Sequence, residues 1–69
     1  MTGQRRNAIC EWLQLDPGHF EAMGIEVLDE EATFGTYRLT FLDDSVSDWK
    51  FTFDEDGVCV DGYCFQDII

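Results

Sequence analysis

Asp48-Trp49-Lys50-Phe51-Thr52-Phe53-Asp54-Glu55-Asp56-Gly57-Val58-Cys59-Val60-Asp61-Gly62-Tyr63-Cys64-Phe65 is the stretch that decides the fold. Trp49, Phe51 and Phe53 alternate with Lys50 and Thr52, the two-residue period of a half-buried strand. Asp54-Glu55-Asp56-Gly57 predicts a turn and Val58-Cys59-Val60 a second strand. Asp61-Gly62 suits a two-residue type I′ turn, which makes Tyr63-Cys64-Phe65 the return arm of a hairpin.

The same period extends upstream. Tyr37, Leu39 and Phe41 alternate with Arg38 and Thr40, predicting a strand over about 33–42, with Gly35 marking a bulge or bend. Residues 25–28 read as a short strand closed by the turn Asp29-Glu30-Glu31-Ala32. A loop over 43–47 precedes the strand at 48–53, and the apolar end of the chain should be tied down. The expected inward set is Ile25, Val27, Tyr37, Leu39, Phe41, Trp49, Phe51, Phe53, Val58, Val60, Tyr63 and Phe65. Ahead of the strands, residues 2–15 have helical spacing, with Ala8, Ile9, Trp12 and Leu13 on one stripe and Thr2 as a candidate cap. Arg5 and Arg6 oppose the helix dipole in the first turn. Asp16-Pro17 starts a second, short helix over 17–23, with Gly24 as its left-handed cap. Sixty-nine residues make one domain. Its expected class is α+β: two N-terminal helices packed on one face of a four- to five-stranded antiparallel β-sheet.

Charge is the second constraint. Fifteen Asp and Glu face four Lys and Arg, a net of −11. Residues 1–24 hold three acids against Arg5 and Arg6, net −1; residues 25–69 hold twelve against Arg38 and Lys50, net −10. Such a field repels nucleic acid and anionic membranes and steers the chain towards basic partners. Solubility or a high-salt cytoplasm would explain the charge without any partner. An aromatic share of 14% separates the chain from disordered acidic tails. Three cysteines close no disulfide framework, and with neither an apolar leader nor a membrane-length segment the expectation is a soluble, cytoplasmic protein.

Motifs for chemistry fail on inspection. Gly57 at position 6 of a calcium loop puts Asp54 and Asp56 at positions 3 and 5, but Thr52 and Tyr63 at the two ends, where acids are required. Cys59 and Cys64 would face each other across the Asp-Gly turn, about 4.5 Å apart at Cα, near the short limit for a disulfide that air could form; in a reducing compartment the favoured reading is two free thiols. With no CxxC and one distant His19, no metal or cofactor is expected. Nothing resembles a catalytic triad, and carboxylates in exposed turns lack the raised pKa of an acid–base pair, so no enzyme is expected.

The turns carry the functional signal. In an antiparallel meander alternate turns share one end. Asp29, Glu30 and Glu31 should therefore lie beside Asp54, Glu55 and Asp56. Asp43, Asp44, Asp48 and Asp61 should lie at the other end. Outward residues about 6.6 Å apart along a strand and about 4.8 Å across strands match the scale of a duplex phosphate array, one charge per roughly 1.7 Å of axis. In size, charge and acidic turns the chain resembles small phage proteins that mimic DNA, anti-CRISPR proteins in particular. The resemblance implies binding, as a monomer in the host cytoplasm, to a basic nucleic-acid-binding surface. A Cascade-type CRISPR effector subunit is the implied target, kept from its DNA. Asp29, Glu30, Glu31, Asp54, Glu55 and Asp56 form the first candidate patch, and Asp43, Asp44 and Asp48 the second. An immunity protein or antitoxin against a basic nuclease, and an acidic halophilic domain, are the competing readings.

Overall fold

The structure, a computed structural model, describes residues 2–16 and 22–69. Helix α1 (Gly3–Trp12) is followed by strands β1 (Gly24–Glu30), β2 (Phe34–Thr40), β3 (Val46–Phe53) and β4 (Cys59–Asp67). The strands form one antiparallel sheet in the order β1-β2-β3-β4. The class is α+β, with one helix and four strands among the described residues. The expected second helix falls largely on residues 17–21, outside the described part of the chain. Gly24, expected to cap it, is instead the first residue of β1, paired with Thr40.

Thr2 caps α1: its Oγ1 accepts from the Arg5 amide at 3.1 Å. The helix ends three residues short of the expected limit. Gln14 turns left-handed at φ 57°, and the Gln14 and Leu15 amides donate to the Glu11 and Cys10 carbonyls. That is the double hydrogen bond that closes many helices, here with Gln where Gly is usual. Ala8, Ile9 and Cys10 are buried, whereas Trp12, expected on the same apolar stripe as Ala8 and Ile9, is 40% exposed.

The core lies between α1 and one sheet face. Ile9, Tyr37, Leu39 and Phe51 are fully buried, and Phe53 and Cys59 nearly so. Trp49 stacks on Phe51 with ring centroids 5.7 Å apart. Ile25, Leu13, Phe41 and Trp49 pack at its margin. Val27, Val58, Val60, Tyr63 and Phe65, expected inward, are all half-exposed.

Most of that difference comes from β4, which corrects the hairpin reading. Asp61 and Gly62 lie inside one continuous strand, opposite Thr52 and Phe51. Gly62 is not there to turn the chain. A Cβ on it would come within 2.6 Å of the Phe51 ring and 2.7 Å of Trp12 Nε1, so the missing side chain makes room for two aromatics. Gly35 has the same job: it pairs regularly with Glu30 and Phe51, and a Cβ there would overlap the Tyr37 phenol. The real reversal is at 54–57. Asp54 Oδ1 accepts from the Asp56 and Val58 amides, at 2.9 Å each, and Gly57 takes φ 84°. Two bulges in β4, at Val60 and Phe65, shift the side-chain alternation and bury Cys59 in place of Val58 and Val60. Cys59 and Cys64 therefore sit along one strand, not across a turn, and both are free thiols.

Candidate functional site

The strand order puts the β1–β2 and β3–β4 turns at one end of the sheet, as the meander requires, and the first turn of α1 lies between them. The Phe53 amide donates to the Thr33 carbonyl at 2.8 Å, tying the two turns together. Arg5 donates to the carbonyls of Glu31 (2.6 Å), Ala32 (2.9 Å) and Phe34 (3.4 Å), and Gln4 Nε2 to that of Asp56 (3.0 Å). One helical turn thus holds both acidic turns by their backbones. Between them is an open depression of about 450 Å³, bordered by Thr2, Gln4, Arg5, Thr33 and residues 53–57.

Four of the expected site residues meet here with exposed side chains: Glu31, Asp54, Glu55 and Asp56. Asp54 also organises its own turn through the two amides it accepts. Asp29 is exposed but belongs to β1, opposite Thr36 on the helix-free face. Asp29 and Glu30 are strand residues because β1 extends to Glu30, two residues past the expected end; the turn is residues 31–33.

Glu30 points inward. Its Oε2 accepts from Tyr37 Oη at 2.9 Å and from Arg5 Nη1 at 3.3 Å. Burial pushes its pKa up, but the bond from Tyr37, the positive charge of the chain's amino terminus and the bond from Arg5 together outweigh that, and its net position is below the usual range. Arg5 also lies over the Phe53 ring, 4.3 Å from its centroid. Glu30 is therefore part of the support for this end and not part of its exposed rim.

At the other end Asp43 and Asp44 are exposed in the β2–β3 loop. Asp43 Oδ1 accepts from the Ser45 hydroxyl (2.6 Å) and amide (3.0 Å), which hold its carboxyl below the usual range. Asp48 leaves this patch. It is 4% exposed, and Arg38 grips both its oxygens, at 2.9 and 3.1 Å, which lowers its pKa. Asp61 is opposite Thr52, at the end of the sheet that carries 54–57, because residues 59–67 run as one strand and not as two joined by a turn.

The residues that sequence reasoning missed are Gln4 and Arg5, which set the distance between the two turns. Their signal was present as a local conflict: two arginines at the positive end of a helix dipole need a strong reason. Among the described residues no group of three or more His, Cys, Asp or Glu could hold a metal ion. No helix there is long and apolar enough to cross a membrane. The chain matches no family model, no curated protein and no solved structure.

Proposed function

We propose that the chain is an anti-CRISPR-type inhibitor: an acidic nucleic-acid mimic that occupies the DNA-binding surface of a Cascade-type effector. It acts as a monomer, by occupancy rather than turnover. Glu31, Asp54, Glu55 and Asp56 take the place of backbone phosphates and pair with Lys and Arg of the target.

One observation carries the reading. All four basic side chains are engaged within the fold. Arg5 is on Glu30 and the turn carbonyls, Arg6 donates to the Met23 carbonyl, Arg38 is on Asp48, and Lys50 lies 4.6 Å from the Phe34 ring centroid. Among the described contacts, the carboxylates these groups pair with are the inward Glu30 and the buried Asp48. None of those contacts engages the Glu31, Glu55 or Asp56 side chain, and it is this rim that a basic groove would meet. Pairing of this kind associates quickly and weakens as salt screens it.

The test is displacement of labelled target duplex from a purified Cascade-type effector, at low and moderate salt. The chain should displace the duplex, and Glu31→Gln/Glu55→Gln/Asp56→Asn should need at least about tenfold more protein, three charge-assisted contacts being removed. Unchanged DNA occupancy with the wild-type chain, or equal potency of the variant, overturns the proposal.

A further inference from the structure

We propose that the outer edge of β4 accepts an extended segment of a basic partner as a fifth strand, with cationic side chains on one face and apolar ones on the other. The partner class rests on the proposed function; the docking mode rests on β4 itself.

β4 is an edge strand of nine residues with no Lys or Pro, the residues that commonly blunt such edges. Its backbone groups on that side have no strand partner among the described residues. Val60, Tyr63 and Phe65 are each about half-exposed along it. The two bulges leave a regular segment between them, 61–64, whose side chains alternate. Asp61 and Tyr63 share the helix-free face, opposite Thr52 and Lys50, while Gly62 and Cys64 share the face under α1, where Trp12 lies over Gly62. A strand added here presents one face to a carboxylate and a phenol ring, and the other to an indole and a thiol. Cations suit the first face, by charge and by attraction to the ring; apolar side chains suit the second. This is the alternating period of a strand, and backbone pairing supplies the rest of the affinity.

Charge decides against a second copy as the occupant. Residues 51–69 hold five acids and no Lys, Arg or His. Two copies joined along β4 would bring these like charges together, each chain carrying a net of −11.

The probe is a nine-residue, N-acetylated and C-amidated peptide alternating lysine with valine, with a glutamate–valine peptide as control. Amide hydrogen exchange is followed on the wild-type chain. Saturating lysine peptide should slow exchange in 59–67 by about tenfold or more, leave β1 unchanged and lose its effect with Val60→Lys/Phe65→Lys. Glu31→Gln/Glu55→Gln/Asp56→Asn should keep the protection, which separates this surface from the acidic rim. No slowing in 59–67, slowing on β1 instead, or equal protection by the glutamate peptide overturns the inference. Protection of β4 that grows with protein concentration without peptide assigns the edge to a second copy and also overturns it. The wild-type measurement stands even if the lysine variant fails to fold. Loss of β4 docking with intact DNA displacement removes this inference alone; intact docking without displacement removes the mimic reading alone.

Discussion

Arg5 Nη1 and Glu30 Oε2 lie 3.3 Å apart beneath α1, with the Tyr37 hydroxyl bonded to both. The arrangement joins the helix start, the end of β1 and the centre of the sheet through side chains that are mostly out of solvent. Arg5→Ala removes one donor to Glu30 and the donors to three turn carbonyls, and should cost about 1.5–3 kcal/mol, the range for hydrogen bonds to charged groups. Arg5→Lys should recover little, because an ammonium cannot span the same fork of acceptors. Urea denaturation of both variants measures this.

The same group sets the pH limits of the fold. Burial, with Glu30 beside it, pushes the Tyr37 hydroxyl up to about 12, Arg5 pulling the other way. A pKa raised on folding contributes stability below the unfolded value, about 10, and loses it as pH rises towards 12. Glu30 is lowered on folding, so its contribution is present above an unfolded value of about 4.3 and is lost as pH falls through the folded one. Equilibrium unfolding against pH should decline in both windows. Tyr37→Phe should remove much of the alkaline decline, which absorbance of tyrosinate follows directly.

Gly62 separates the two readings of β4. In a hairpin turn it would need a left-handed backbone, and its replacement would be a turn defect. In a continuous strand its missing Cβ is filled by the Phe51 ring and Trp12. Gly62→Ala should therefore cost about 1–3 kcal/mol by overpacking. Combined with Trp12→Ala the cost should be less than additive, because one of the two crowding groups is gone. A double-mutant cycle by thermal melts checks it.

Side-chain periodicity was legible where strands run without interruption. Tyr37, Leu39, Phe51 and Phe53 read as inward and are inward. It failed at β4 because two bulges reset the alternation, and a bulge leaves no mark in a short apolar run. Asp-Gly misled for a physical reason: a glycine spared for ring packing has the same letter as one needed for positive φ. The shared end of the acidic turns followed from topology alone, but the inward Glu30 and the Arg38-bound Asp48 depend on contacts between residues 25 and 10 positions apart, which no local pattern encodes.

Placing Cys59 and Cys64 on one strand has a chemical consequence. Burial raises the thiol pKa of Cys10 and Cys59, and both are shielded, while Cys64 is exposed. One thiol per chain should react quickly with a thiol-specific reagent at neutral pH, and mass mapping should find it at Cys64. The other two should react only as the chain unfolds. A fast-forming Cys59–Cys64 disulfide would be evidence for the hairpin geometry instead.

The exposed rim should show opposite signs for folding and for binding. No hydrogen bond or ion pair engages the Glu31, Glu55 or Asp56 side chains among the described contacts, so at net −11 their charges mainly repel. Glu31→Gln/Glu55→Gln/Asp56→Asn should therefore raise stability by about 0.5–1 kcal/mol at low salt, and the gain should shrink towards zero near 1 M, where screening extends over only about 3 Å. The same variant should be the weaker inhibitor. Charge retained at a cost to stability points to use at the surface. A halophilic domain gives the contrary pattern, unfolding at low salt in the wild-type form. Melting temperatures of both forms across the salt series, set beside DNA displacement, decide between them.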